Sequence, residues 1–324
     1  MQRRRLLGWA ALAATATATT QSTWAQGYPD RPIKIYQGFA PGGNADTIAR
    51  LVGAEMGKGL GQSLVVEAQA GAGGNIAAGT VARARPDGYT LLLATGGHAV
   101  AGALYQKLPY RTVADFEMIS TITFFPFLLV VPADSKHRSL ATLLAESLTK
   151  PGSLSYGTAG VGSTHHLAGE LLTRMAKVAW QHVPYRGDAA SITAVLAGEI
   201  PLVIAPPTAV MAHVKAGKLR ALAVTGAQRW SLMPELPTVA EQGVDGYDVS
   251  SWAGLMAPVG TPRAVVDRLN AEVRQTLQVP AVRSRLADMG GEVRASSPEE
   301  MKTLVSAELQ RWTQLVADAN IPKQ

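Results

Sequence analysis

The sequence predicts an α/β protein with two lobes, each built on a parallel sheet that helices cover on both faces. Short apolar segments alternate with longer segments of helical periodicity, in two successive series along the chain. Strands that are apolar throughout are typical of parallel sheets buried on both faces. No low-complexity linker separates the two series. We therefore expect the chain to cross between the lobes more than once, with a cleft between them.

The first series contains three strands and two helices. Its first helix has apolar residues at spacings of three and four, which places them on one face, and Asn44 or Asp46 is expected to cap its start. A Gly-rich turn at 71–75 precedes a short Ala-rich helix. In order, the predicted elements are strand 33–36, a helix through Ile48, Leu51, Val52, Met56 and Leu60, strand 64–66, the short helix to Arg85, strand 89–94, and then a loop that contains His98.

The second series begins at residue 128 and ends in three consecutive helices. Its Gly-rich loop at 157–163 again joins a strand to a helix. The predicted elements are strands 128–131, 154–156, 181–184, 200–205 and 220–225, and helices 140–149, 164–177, 189–198, 208–216, 262–278, 280–289 and 298–318.

Residues 1–25 have the pattern of an export signal. Three arginines precede an apolar, Ala-rich stretch and the triplet Thr23-Trp24-Ala25, whose small residues fit signal-peptidase cleavage after Ala25. The apolar stretch is too short and too rich in Ala and Thr to span a bilayer well. The arginine run also resembles a twin-arginine signal, so two export routes stay open. We expect a periplasmic protein that begins near Gln26.

Composition excludes several classes of site. The 324 residues include no cysteine, which removes disulfides, thiolate nucleophiles and Cys-ligated metal centres. The formal charge of +6 falls to +3 without the three N-terminal arginines, which leaves 27 basic against 24 acidic residues. Because these charges are scattered, we expect no nucleic-acid partner. No cofactor and no metal are expected.

Neither of the two Gly-rich loops matches a nucleotide-binding motif. The segment from Gly71 has Ile76 where the dinucleotide fingerprint needs Gly or Ala, and the segment from Gly160 has His165 there. No segment matches the GxxxxGK[ST] phosphate loop. These loops therefore need another explanation than a bound nucleotide.

Catalytic chemistry has weak support. Ser163 lies outside any GxSxG elbow, although a pairing with His165 or His166 stays open at this level. His166 and Glu170 are four apart on a predicted helix and could share a metal, but a hydrogen bond is the favoured interpretation. We expect no catalytic residues, and an exported serine hydrolase is the alternative.

Four loops share a design that suits an anion. In each, small residues lead from a strand into a helix start, which presents unpaired N–H groups and the positive end of the helix dipole. Ligands of α/β sheets bind outside the carboxyl ends of the strands. Taken together, the loops predict an anion site in the cleft, although each alone could be a tight turn. They are 40–44, 71–75, 157–164 and 186–188.

An ordered series of motifs resembles the Bug-type periplasmic solute receptors of tripartite tricarboxylate transporters (TctC-like). The resemblance extends from about residue 28 to residue 320. The motifs are Tyr28-Pro29-Asp30-Arg31-Pro32, Phe39-Ala40-Pro41-Gly42-Gly43, Ala70-Gly71-Ala72-Gly73-Gly74-Asn75, Arg85-Pro86-Asp87-Gly88-Tyr89, Tyr156-Gly157-Thr158-Ala159-Gly160, Val183-Pro184-Tyr185-Arg186-Gly187, Leu236-Pro237-Thr238-Val239 and Ser251-Trp252-Ala253-Gly254.

The resemblance implies a two-lobed, type II periplasmic-binding-protein (Venus flytrap) fold that closes on a small organic carboxylate. It implies a first lobe of residues 27–126 plus 253–324, a second lobe of 127–252, a signal peptide at 1–25, and a monomer that works with membrane permease subunits. A role as a ligand-presenting sensor for a membrane kinase stays open. The implied ligand-binding residues are Phe39, Pro41, Gly42, Gly43, Asn44, Ala72, Gly73, Gly160, Gly162, Ser163, Thr164, His165, Gly187 and Asp188.

The chain departs from the family pattern after residue 200. Relatives often place polar groups where this chain has Ala205-Pro206-Pro207. This change favours an acid with an apolar or aromatic body over an amino acid. An ammonium group would need an acceptor, and the nearest candidate is Asp188, which can instead cap the following helix.

Overall fold

Eleven strands form two sheets within residues 27–324, the part of the chain that this computed structural model describes. The strands are β1 (Ile33–Gln37), β2 (Leu64–Ala68), β3 (Thr90–Thr95), β4 (Phe116–Pro126), β5 (Leu128–Pro132), β6 (Leu154–Thr158), β7 (Trp180–Pro184), β8 (Leu202–Ala205), β9 (Leu219–Val224), β10 (Ser250–Pro258) and β11 (Glu292–Val293). The export signal predicted at 1–25 lies outside the described residues.

Ten α-helices surround these sheets in the described part of the chain. They are α1 (Asn44–Leu60), α2 (Asn75–Ala82), α3 (Gly97–Leu104), α4 (Leu140–Thr149), α5 (Thr164–Met175), α6 (Asp188–Leu196), α7 (Pro207–Lys215), α8 (Arg263–Thr276), α9 (Pro280–Asp288) and α10 (Pro298–Asp318). None of them is long and apolar enough to cross a membrane.

Both sheets are mixed, so the expectation of wholly parallel sheets is wrong. The first sheet has the order β11-β4-β10-β3-β1-β2, and the second has the order β7-β6-β8-β5-β9. β1 is parallel to β2 and β3, and β6 is parallel to β7 and β8. β10 runs antiparallel to β3, and β5 runs antiparallel to β8. β5 is the strand with which the chain enters the second sheet, and β10 is the strand with which it returns to the first sheet.

Helix α1 shows how the predicted apolar face meets the core. Ile48, Val52 and Met56 are buried and belong to one cluster with Ile33 and Ile35 of β1. Burying each such aliphatic side chain contributes about 1.5–3 kcal/mol. This apolar face therefore holds the start of α1 at the carboxyl end of β1.

The start of α1 is capped differently from the expectation. Gly43 is the N-cap residue and supplies no side chain. Asn44 instead accepts a hydrogen bond from the hydroxyl of Thr208, and Asp46 accepts one from the N–H of Gly42 at 3.0 Å and pairs with Arg50. Neither side chain therefore caps the helix: that of Asn44 contacts Thr208 of α7, and that of Asp46 bonds to neighbours four positions away.

His98 lies in a helix and not in the predicted loop. It is a buried residue of α3, and its Nε2 lies 2.8 Å from the carbonyl oxygen of Thr112. Its ring stacks on Tyr110 and meets the ring of Phe116 edge-on. These contacts place the His98 side chain in the protein interior.

The chain passes from the first sheet to the second after β4 and returns before β10, and these two connections lie side by side. β4 ends at Pro126 and β5 begins at Leu128, so Phe127 alone joins them. The N–H of Phe127 donates to Oγ1 of Thr225, and its carbonyl oxygen accepts from the N–H of Thr225. Thr225 in turn exchanges hydrogen bonds with Val249, directly before β10. The connecting backbones are therefore bonded to one another at the joint.

Candidate ligand-binding site

A small cavity lies between the two sheets, at the place where the predicted loops meet. Its volume is about 20 Å³, far below the several hundred Å³ that enclose an ordinary small-molecule ligand. In this arrangement the cavity has room for about one water molecule. The cavity is lined by Phe39, Asn44, Ala45, Thr95, Phe125, Phe127, Thr164, His165 and Asp188.

Three helices begin at this cavity. Asn44, Thr164 and Asp188 are the first residues of α1, α5 and α6, and all three line it. The first N–H groups of a helix have no intrahelical partner and carry partial positive charge. The described residues thus place three positive helix ends around one space, and no Lys or Arg side chain is among its lining residues.

Asp188 faces the cavity and does not cap α6. The N-cap residue is Gly187, and no side chain caps this helix. The Oδ1 atom of Asp188 lies 3.4 Å from Nε2 of His165, and each side chain is only 8% exposed. Neither of these atoms makes a hydrogen bond, and neither does Nδ1 of His165. The cavity therefore contains a buried carboxylate and a buried imidazole in contact with each other.

Ser163 is used as a helix cap. Its hydroxyl donates to the carbonyl oxygen of Gly160 at 2.6 Å and accepts from the N–H of His166. The ring of His166 points elsewhere, since its Nδ1 accepts from the N–H of Gly162 at 3.3 Å. No imidazole is placed to remove the Ser163 proton, and this geometry argues against the hydrolase alternative.

The candidate metal pair is engaged in other contacts. Oε1 of Glu170 accepts a hydrogen bond from the hydroxyl of Tyr156 at 2.9 Å, and Nε2 of His166 lies 4.0 Å from the same oxygen. The ring of His166 stacks on that of His182 at 4.1 Å. Residues 27–324 contain no group of three His, Asp or Glu side chains arranged to hold a metal ion.

The predicted loop 39–44 is divided in the structure. Phe39 and Asn44 line the cavity, while Pro41 and Gly42 are exposed on its outer side. Gly43 lies between Gly42 and Asn44 and has a φ of −75°. A Cβ atom built on Gly43 would be 3.7 Å from Oδ2 of Asp188. A side chain at this position would thus point toward the acid of the other lobe.

The other predicted glycines flank the cavity and bring the lobes together. A Cβ atom on Gly73 would lie 2.7 Å from the carbonyl carbon of Gly162, and one on Gly187 would lie 3.0 Å from Cβ of Ala40. Ala72 and Gly73 form one turn of 3-10 helix, and Gly160 and Gly162 have positive φ in the loop before α5. None of these residues is among the lining residues of this cavity.

Four wall residues were not predicted, namely Ala45, Thr95 and two phenylalanines, Phe125 and Phe127. Phe125 is the second-last residue of β4, and Phe127 packs its ring 4.9 Å from that of His165. The two phenylalanines lie on a strand and at the connection between the sheets, where no Gly-rich loop marks them in the sequence. A usable signal exists, because the chain has only five phenylalanines and three of them stand at 124, 125 and 127.

The family of the chain follows from a comparison with family models. The model of the tripartite tricarboxylate transporter family receptor (TctC) matches residues 48–321. The chain belongs to this receptor family. Membership confirms the resemblance to Bug-type receptors and the expectation of a solute-binding protein that is not an enzyme.

Solved structures of other receptors share the fold. The periplasmic binding protein BugD superposes with a TM-score of 0.88 at 33% identity, covering 92% of this chain and 100% of BugD. Rpa4515 of R. palustris, solved with adipate, has a TM-score of 0.88 at 36% identity, covering 92% and 100%. MatC of Rhodopseudomonas palustris, solved with malate, has a TM-score of 0.85 at 35% identity, covering 89% and 100%. The two-lobed binding-protein fold is thereby confirmed.

Proposed function

We propose that this receptor binds a small organic carboxylate in the cavity between its sheets and delivers it to membrane permease subunits of a tripartite tricarboxylate transporter. The observation that carries the proposal is the meeting of three helix starts, those of α1, α5 and α6, at one cavity. Each such end favours a negative charge by roughly 0.3–1 kcal/mol when exposed and up to about 2 kcal/mol when partly buried.

The proposal agrees with the ligands of solved relatives. Rpa4515 is described with adipate and MatC with malate, and both are carboxylates. In this chain the hydroxyl of Thr164 and the amide of Asn44 lie beside the helix ends and offer further hydrogen bonds. A carboxylate can thus be held by backbone N–H groups and neutral polar side chains, without a buried cation.

Closure of two lobes is the proposed mechanism. We assign residues 27–126 plus 253–324 to the first lobe and 127–252 to the second, acting as a monomer. Asn44 of the first lobe meets Thr208 of the second at 2.9 Å, and the turn at Gly73 meets the loop at Gly162. A ligand that contacts both lobes favours the closed state by its higher affinity for that state.

The walls of the cavity indicate an apolar part of the ligand. Phe39, Phe125 and Phe127 contribute aromatic rings to the lining. Aromatic walls with a few polar groups are typical of small-molecule sites, where the polar groups set orientation. The ligand is therefore proposed to combine a carboxylate with an apolar or aromatic body.

A calorimetric screen of acids against their matched amides tests this function. Adipate and benzoate would be compared with adipamide and benzamide, and other dicarboxylates and amino acids would extend the panel. We expect at least one acid to bind, and to bind at least tenfold more tightly than its amide, which corresponds to about 1.4 kcal/mol. Equal affinity for acid and amide, or no binding by any acid, would contradict the proposal.

Family membership implies an exported protein, and we propose that cleavage follows Ala25. The triplet Thr23-Trp24-Ala25 supplies the small residues that signal peptidase requires. We expect N-terminal sequencing of the periplasmic fraction to begin near Gln26. An intact Met1 in that fraction would show that the segment is retained. Replacing Ala25 by a bulky residue should accumulate precursor, whereas the same change at Gln26 serves as a control.

A further inference from the structure

A second cavity lies beside the two connections between the sheets. Its volume is about 420 Å³, within the range that encloses small-molecule ligands. Pro126 and Ser250, at the strand ends next to the connections, line it on one side, and the segment 226–232 after β9 lines it on the other. Ala227 and Leu232 on its rim are exposed, so this second cavity is open to solvent.

Phe125 is the residue that the second cavity shares with the proposed ligand cavity. Among the residues that the structure describes, it alone lines both. It is 5% exposed, and its ring meets that of Phe127 edge-on, with 5.9 Å between the ring centroids. The ring of Phe124 lies instead under the guanidinium of Arg294, as expected because successive residues of a strand face opposite sides. The wall between the two cavities is therefore one residue thick, at Phe125.

This wall limits the space for the body of a ligand. A ligand whose carboxylate lies at the helix starts has the rest of its body among the aromatic side chains of the ligand cavity, Phe125 included. Protein interiors are close-packed, so a body that reaches a buried ring cannot pass it without displacing it. Beyond Phe125 the second cavity offers unfilled space with the apolar side chains of Pro126 and Trp230 along its wall.

We propose that Phe125 sets the greatest length of ligand that the receptor takes, because its ring closes the ligand cavity toward the second cavity. This inference rests on the proposed carboxylate-binding function and concerns the far end of the ligand rather than its charged end. A body that ends at Phe125 is accommodated, and a longer one meets the ring. A smaller side chain at this position joins the two cavities, and a longer body then extends between Pro126 and Trp230.

Calorimetry on the mature protein with paired acids of different length tests the inference. The pairs are succinate and suberate, and benzoate and 4-butylbenzoate; within each pair the acid end is kept and the body is lengthened. We expect Phe125→Ala to raise the affinity of the longer acid relative to the shorter one at least tenfold. Phe125→Leu, which keeps more of the buried side chain, should raise this ratio at least threefold, and it decides the question if the alanine variant is poorly folded.

Two variants of the second cavity serve as controls. Leu232 lines the second cavity alone and is 54% exposed, so Leu232→Ala enlarges that cavity without opening the wall. Its affinity ratio should stay within twofold of that of the unchanged protein. Ala227→Phe, added to Phe125→Ala, fills the second cavity from its exposed rim and should remove the gain.

The possible outcomes separate this inference from the proposed function. An unchanged ratio in folded Phe125→Leu, or a gain in Phe125→Ala that persists when Ala227→Phe is added, would overturn the role of Phe125 while the short acids still bind. If neither succinate nor benzoate binds the unchanged protein, the inference fails, because a limit on length implies that a short body fits. The proposed function then still depends on the wider panel of acids.

Discussion

Gly73→Ala is expected to weaken ligand binding by at least tenfold while the protein stays folded. A Cβ atom at this position would lie 2.7 Å from the carbonyl carbon of Gly162 and 2.7 Å from the carbonyl oxygen of Val161. Those atoms belong to the backbone of the opposite lobe and cannot rotate away as a side chain would. The added methyl group therefore holds the lobes apart, and an incompletely closed receptor loses the contacts of one lobe to the ligand.

Gly61→Ala is the matched control for this effect. Gly61 has φ 67° and Gly73 has φ 63°, so alanine meets the same left-handed backbone strain at both positions. A Cβ atom on Gly61 has no neighbour within 4 Å. Both variants should lose similar unfolding free energy in urea titrations, and only Gly73→Ala should lose ligand affinity in calorimetry. Equal affinities in the two variants would show that this contact does not limit closure.

The free energy of unfolding should fall steeply as the pH is lowered from about 6.5 to 4. Burial lowers the pKa of His98 to about 4 and that of His166 to about 4, and burial together with the charge of His166 lowers the pKa of His182 to about 3. In the unfolded chain these groups bind a proton near pH 6.5. The unfolded state therefore binds more protons over this interval, and its relative stability increases as the pH falls.

The expected size of this loss is several kcal/mol. One pKa unit corresponds to about 1.4 kcal/mol, so His98 alone contributes about 3 kcal/mol by pH 4. His166 and His182 are stacked at 4.1 Å and titrate as a pair, so their shares do not add independently. Urea unfolding at pH 7, 5.5 and 4.5 measures the slope. In His98→Gln, whose side chain stays neutral, the free energy of unfolding should depend less steeply on pH, whatever its value at pH 7. If the pH dependence equals that of the unchanged protein, His98 is not a cause of it.

Predictions from the sequence succeeded where a segment's own periodicity decides its structure. The face of α1 and the bounds of α4 and α10 follow from residues within those helices. β4 was not predicted, although its Ile, Thr and Phe residues are typical of a strand; it also contains the polar residues Ser120, Thr121 and Thr123. These side chains are buried, and Ser120 and Thr121 donate to carbonyl oxygens of residues 296 and 294. Such partners are more than 170 positions away, so no local pattern reveals them.

Helix α3 and strand β10 were missed for related reasons. All but one of the eight residues of α3 are buried, so it has no exposed face to mark a helical period. β10 contains Gly254, and its direction in the sheet depends on where the chain returns from the other lobe. The site was predicted in part, because helix starts are visible as Gly-rich loops. Its aromatic walls were not, since they depend on which strand residues face the cleft.

Phe127 belongs both to the wall of the cavity and to a connection between the two sheets. The residue forms the whole length of one connection between the sheets, and its backbone is tied to Thr225 of the other connection. Its ring is at the same time a wall of the cavity and a neighbour of His165. A molecule held in the proposed site would therefore touch the same residue that joins the two sheets.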